Sequence, residues 1–360
     1  MDPNSKATCL IEIHKRHSAK LTSFFGYTLP LWYTSIKEEH HAVRSHAGIF
    51  DISHMGLLQV SGEGAFRFLE HMSSNKLTKV AKGFFVYTMI LNHEGGIRDD
   101  IMVGPMGADY LVIVNASNAA KIITWFQEHK PDSVHIKVYN DTHGLVAVQG
   151  PAAANLLSHT LKQDLSDMKP FALRSLAYKG QALWVSRTGY TGEDGFEVMI
   201  PHALAPELFT TLTTLGATPC GLGARDSLRI EAGLPLYGQE LTETLSPRVT
   251  RYAQWVIKLD HPFLGKSAVE KDPDLMTTVG IKMEGKSIPR TGYAIVEGGQ
   301  ITSGTLSPSM GDPIGMAIVP KAVATPGTTV HVVIRNTEER ATVVALPFVQ
   351  RAETLPVTGL

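Results

Sequence analysis

The sequence predicts an α+β architecture with mostly antiparallel sheets, followed by a smaller all-β, barrel-like domain. Three observations carry this. Residues 57 to 150 mix short apolar or alternating runs with helical segments. Asn92-His93-Glu94-Gly95-Gly96 separates two of the runs as a hairpin turn would. From about residue 278 the helical pattern gives way to strands divided by Gly, Pro, Ser and Asn.

In chain order, Leu57–Val60, Phe84–Leu91, Ile101–Val103 and Tyr110–Val114 read as strands. Between them Gly64–Met72 has the helical spacing of Phe66, Leu69 and Met72. Ser117–Glu128 repeats Ile122, Ile123 and Phe126 at helical period, with Ser117 placed to cap it. Pro151–Leu161 opens on a proline tolerated in a first turn, and Pro206–Leu215 is stopped by Gly216. Ala224–Ala232 is a further helix, terminated by Gly233. Beyond the charged stretch at Lys271–Asp274, the expected strands are Val279–Met283, Tyr293–Val296, Ile314–Val319, Val330–Ile334 and Ala341–Leu346. The expected division is 1–255 (with 52–140 as one subdomain), a connector at 256–277, and a barrel at 278–360.

Length is sufficient for a sizeable core. With 33 basic and 34 acidic side chains the net charge is −1, so nothing electrostatic argues for nucleic acid or an anionic membrane. No run approaches the roughly 18 apolar residues of a membrane helix. The two cysteines, Cys9 and Cys220, cannot make a disulfide framework and fit a reducing compartment. Met1–Cys9 carries no signal-like pattern, so a cytoplasmic protein is expected, or a mitochondrial-matrix one if a transit peptide was removed.

Some patterns imitate chemistry. Gly280–Ser287 satisfies a phosphate-loop pattern, but Gly280 lies inside an expected strand and Pro289 follows too soon for a helix. Gly221-Leu222-Gly223 opens like a dinucleotide fingerprint, but Asp226 stands at the third glycine position. His14, His17, His40, His41, His46 and His54 lack metal-ligand spacing, and no metal is expected.

Three segments combine backbone-critical glycines with charge. Gly95–Asp100 launches a strand headed by two carboxylates, which alternation sends to opposite faces, so at most one points into a cleft. By spacing alone a solvated strand end is the favoured reading. Arg187–Glu197 places Gly189, Gly192 and Gly195 before Glu197, which is either solvent-facing or a buried acceptor. Cys220–Gly233 sets Arg225 and Arg229 one turn apart. Arg225 reaches Glu197, a ligand, or only an intrahelical partner such as Asp226.

These segments resemble the aminomethyltransferase family, the T protein of glycine cleavage. So do Phe25-Gly26-Tyr27, His40–Arg44, Phe50–Met55, Val114-Asn115-Ala116, Ala147–Pro151, Gly233–Tyr237, Ile301–Pro308 and Pro347-Phe348-Val349. The ordered set spans about His14 to Val349. The resemblance implies a multi-layer, folate-binding α+β region and transfer of an aminomethyl carbon from a lipoyl-bound intermediate on a carrier protein to tetrahydrofolate. Ammonia and 5,10-methylenetetrahydrofolate are the products. It implies Asp100 as the catalytic carboxylate, Glu197 and Arg225 as folate-binding residues, and Tyr87 and Asn115 as cleft residues. Its co-substrate is tetrahydrofolate, its partner the lipoylated carrier.

Two departures stand out. The family often opens Thr-Pro-Leu-Tyr where this chain has Thr8-Cys9-Leu10-Ile11. Some members place an aromatic folate contact where it reads Gln350-Arg351-Ala352-Glu353. Two other functions are compatible with the scaffold: a folate-dependent demethylase of a small methylated amine or sulfonium compound, and a non-catalytic folate-binding protein. The second carries a reactive cysteine in the region that here reads Gly233–Glu240, where none occurs.

Overall fold

A computed structural model describes residues 5–350. Two sheets sort the chain's apolar residues into layers. One is five-stranded, in the order Val86–Leu91, Ile97–Met106, Asp109–Val114, Gly56–Gly62, Val134–Val138, all antiparallel. The other is six-stranded, in the order Leu173–Tyr178, Gln181–Ser186, Gly195–Pro201, His143–Gln149, Gly48–Asp51, Thr218–Pro219, with only the last pair parallel.

Side chains alternate across a strand, so each sheet offers one face to its own helices and one to the other sheet. On the five-stranded sheet Leu58, Ile101, Val103 and Val112 pack against helices Ala65–Met72 and Ala119–His129. On the six-stranded sheet Val146, Val148, Val198 and Ile200 pack against helices Ala153–Leu161 and Ala205–Thr214. The opposite faces meet in a central layer, where Leu57, Met102, Leu111 and Ile113 join Phe50, Ala147 and Met199. Asp100 has the parity of Met102, and Glu197 that of Met199. Strand alternation alone therefore turns both carboxylates toward the same interior.

Helix Leu222–Glu231 contributes Ala224 and Leu228 to that layer. It begins two residues before its expected start, and Gly233 follows it at φ +66°. The hairpin at Asn92–Gly96 forms as expected. Gly95 is at φ +82°, and a Cβ on Gly96 would lie 1.7 Å from the Glu243 carbonyl oxygen, so glycine is required by a close backbone approach.

Several expectations need correction. Ser117 lies in a 3₁₀ turn, Ala116–Asn118, and does not cap the helix that starts at Ala119. The strand expected at Ile101–Val103 extends from Ile97 to Met106. Pro151 sits in a turn before its helix, not in the first helical turn.

In the last part, an antiparallel sheet runs in the order Gln300–Leu306, Pro313–Pro320, Met276–Met283, Thr337–Val344, Thr329–Ile334. Tyr293–Val296 is not one of its strands. It makes single bridges to both edges, Ala294 to Gln300 and Ile295 to Val332. That brings the two edges together, so the sheet is barrel-like. Gly280 lies within Met276–Met283, which leaves no strand-to-helix turn for phosphate. No helix among the described residues is long and apolar enough to cross a membrane.

Candidate active site

Strand Ile97–Met106 delivers the acidic pair. Asp99 is fully buried on the helix-facing side. It accepts hydrogen bonds from Asn115 N at 3.0 Å, Asn115 Nδ2 at 2.8 Å and Asn118 Nδ2 at 2.6 Å. Asp100 is half-buried on the central side. It accepts from Asn115 Nδ2 at 2.7 Å and from Tyr87 Oη at 3.0 Å. Tyr87 pairs with Met102 and Met89 with Asp100 across the two strands, so Tyr87 reaches its acceptor along the cross-strand diagonal. Neither carboxylate belongs to a solvated strand end. Burial raises both, Asp100 to about 6 and Asp99 to about 8, with the Asp100 charge adding to the shift of Asp99. The two titrate as a pair.

Glu197 stands opposite Ala147 and Ser186 in the six-stranded sheet. Its Oε2 accepts from Thr188 Oγ1 at 2.7 Å, leaving Oε1 for another donor. Arg225 rises from the first turns of helix Leu222–Glu231. Its guanidinium lies 4.7 Å from the centroid of the Tyr190 ring, and its Nη1 is buried without a hydrogen-bond partner. Burial pulls its pKa down while the Glu197 charge opposes that pull. The two are close enough to interact but form no ion pair. Asp226, the intrahelical alternative, pairs instead with Arg229, at 2.9 Å.

Tyr190 joins the two halves. Its phenol is raised by burial, and it feels the charges of both Asp100 and Arg225. Asp100, Tyr87, Tyr190, Arg225 and Glu197 therefore border one interior region. Asp100, Tyr190 and Arg225 each keep some accessible surface although protein surrounds them deeply, as side chains lining a recess do. Two surface depressions contain none of these residues. One, of about 700 Å³, is lined by Tyr139, His143, Trp184 and His202, and one of about 550 Å³ lies beside Arg67 and Tyr110.

The region from residue 10 to 261 matches the GCVT N-terminal domain, and residues 277–350 match the glycine cleavage T-protein C-terminal barrel domain. The chain belongs to the glycine cleavage T-protein family. Aminomethyltransferases from Bacillus pumilus and Geobacillus thermodenitrificans are each 40% identical to it, over 97% of its length and 100% and 99% of theirs. The crystal structure of glycine cleavage system aminomethyltransferase T from Bartonella henselae superposes with a TM-score of 0.88 at 32% identity. The match covers 96% of this chain and 98% of that one. The fold, an α+β region with mostly antiparallel sheets and a C-terminal barrel, is that of the family, and the chain is an aminomethyltransferase.

Reading the sequence missed four things. Tyr190 was visible only as the aromatic between Gly189 and Gly192. His54 was grouped with the other early histidines. Helix spacing offers Arg229 and Glu231 no partners beyond their own helix, but both are buried. Arg229 Nη1 donates to Glu240 at 3.0 Å and Nη2 to Ser303 Oγ at 2.8 Å. Glu231 accepts from His40 Nε2 at 3.0 Å, Arg44 Nη2 at 2.9 Å, and Ser307 and Ser309 Oγ at 2.5 and 2.8 Å. The serines come from the barrel, so this is a latch between it and the folded region before it. Arg351-Ala352-Glu353 lies outside the described residues. No cluster of three or more His, Cys, Asp or Glu among the described residues is arranged to hold a metal ion.

Proposed function

We propose that this chain moves the aminomethyl carbon from a lipoyl-bound intermediate on the glycine cleavage carrier protein to tetrahydrofolate, releasing ammonia and giving 5,10-methylenetetrahydrofolate. Family membership supports the reaction. What supports the site is that strand parity turns Asp100 and Glu197 toward the central layer to which the Arg225 helix contributes Ala224 and Leu228, with an Arg225 donor left unpaired inside the protein. Such a donor is costly without a ligand, and a pteridine supplies the acceptors it lacks.

In this reading the free Glu197 oxygen and its neighbour accept from the N3–H and 2-amino group of the pterin, a paired geometry that fixes the ring. The Arg225 fork meets a carbonyl or carboxylate oxygen. Tetrahydrofolate supplies N5, the atom that takes the carbon. Asp100 hydrogen-bonds the reduced pterin and takes up a proton as N5 attacks. Tyr87 and Asn115 hold Asp100 by donating to its two oxygens, keeping it aimed at the recess. A carboxyl raised to about 6 is ionised near neutrality yet basic enough to accept a proton.

We assign the lipoylated carrier as partner, and no nucleic acid or membrane. The bacterial relatives support a cytoplasmic enzyme. The division we propose is 1–255, 256–277 and 278–360; the family matches, which end at 261 and resume at 277, support two parts that meet in this stretch. Mixing the protein with aminomethylated lipoyl carrier and tetrahydrofolate tests the reaction: ammonia release should require both. Tetrahydrofolate binding without ammonia release would point instead to the demethylase or to the non-catalytic folate-binding protein.

A further inference from the structure

His54 has no part in the mechanism above. It follows strand Gly48–Asp51 and is 5% exposed, and its Nδ1 is buried with no hydrogen-bond partner. The ring stands edge-on to Phe24 at 5.7 Å. The charged groups facing it are Arg225 and Asp51. Asp51 does not satisfy it, because that carboxylate already accepts from Thr8 Oγ1 at 2.6 Å, His14 Nε2 at 2.8 Å and the Ser53 amide at 2.9 Å. Burial, with the Arg225 charge beside it, lowers the imidazole to about 4. It is therefore neutral in working conditions and carries one donor and one acceptor.

Seven buried side-chain polar atoms among the described residues have no partner. Two of them are Arg225 Nη1 and His54 Nδ1; the residues beside each, Ala224 and Leu228 on the helix and Ile52 and Met55 on the loop, share the central layer, and the two groups are close enough for their charges to interact. Natural interiors pair such atoms or leave them for a ligand. A second cation beside Arg225 would repel it, whereas a neutral N–H can share an acceptor with it.

We propose that His54 is a further ligand-contacting residue of this site, presenting a neutral N–H that converges with Arg225 on one carbonyl or carboxylate oxygen of the folate. The inference rests on the folate reading given above. Because His54 is not in contact with Asp100, it contributes to binding more than to the proton step.

The test compares wild type, His54→Asn and His54→Phe. Asn keeps a donor near the Nδ1 position, and Phe keeps the ring without one. Calorimetric titration with tetrahydrofolate should show roughly tenfold weaker binding for His54→Phe and within about threefold of wild type for His54→Asn. In carrier-dependent turnover, KM for tetrahydrofolate should rise in the Phe variant while kcat falls far less. Thermal melts establish that both variants fold, and if Phe does not, His54→Leu takes its place. If the variant lacking the donor binds as tightly as wild type, the two orphaned atoms serve a buried water and the proposal is overturned. If wild type itself binds no tetrahydrofolate, the folate reading fails, a separate outcome.

Discussion

Arg225 and Arg229 stand one turn apart on the same helix, yet their surroundings are opposite. Arg229 is buried with acceptors at every turn: Asp226, Glu240, Ser303 and the Leu234 carbonyl. Burial opposes its charge, but the carboxylates of Glu240 and Asp226 hold it. Arg225 has an aromatic face, a nearby Glu197 that forms no ion pair with it, and a buried nitrogen with nothing to bond. The same contrast separates the carboxylates. Desolvation pushes Glu231 upward, but the hydrogen bond from His40, with those from Ser307 and Ser309, overcomes it and holds the group at about 2. His40 is itself lowered by burial, so it donates as a neutral imidazole, and the full charge opposite Glu231 is the Arg44 guanidinium. Asp100 is raised, because its two donors, Tyr87 and Asn115, do not offset its burial. Satisfied charges join parts of the chain. In the proposed reading, unsatisfied charges mark where a substrate completes the structure.

The contrast can be broken at either end. The largest effect on stability is expected at the latch. Removing one member of a buried ionic network typically costs about 3–5 kcal/mol, so Glu231→Gln should lower Tm sharply at pH 7. A carboxyl whose folded pKa is depressed stabilises above its unfolded value and loses that contribution as pH falls through the folded one. The gap in Tm between wild type and variant should therefore stay full down to about the ordinary 4.5 and close toward pH 2. A gap that widened in acid would contradict the latch. In the recess the order is reversed. Glu197→Ala should weaken tetrahydrofolate binding by roughly 1.5–3 kcal/mol with a smaller change in Tm than Glu231→Gln. Calorimetry showing no loss of affinity would remove the pterin contact.

Local rules made part of this legible. The Asn92–Gly96 hairpin, the helices at Ala65–Met72 and Ala205–Thr214, and the change of texture near residue 278 all follow from short-range pattern. Alternation also placed Asp99 and Asp100 on opposite faces before their partners were known. What stayed hidden depends on distant residues. Glu231 reads as an exposed helix end until His40, 191 positions away, and Ser309, 78 positions away, are seen to donate to it. Tyr293–Val296 has strand composition but faces two edges at once, so it bridges both and pairs fully with neither. Asp100, Glu197 and Arg225 were singled out by family resemblance. Spacing alone left a solvated alternative open for the carboxylates and an intrahelical ion pair for Arg225.

The most direct test is Asp100→Asn in carrier-dependent aminomethyl transfer, followed across pH. In wild type, kcat/KM should fall as pH drops through about 6, since the proton acceptor is the ionised carboxylate; the observed midpoint belongs to the Asp99–Asp100 pair. Asn should reduce turnover by roughly 10²- to 10⁴-fold and remove that limb while tetrahydrofolate still binds. At pH 8 its Tm should be no lower than wild type, because a buried carboxyl with a raised pKa is destabilising once ionised. Turnover and pH profile unchanged in Asp100→Asn would contradict the account.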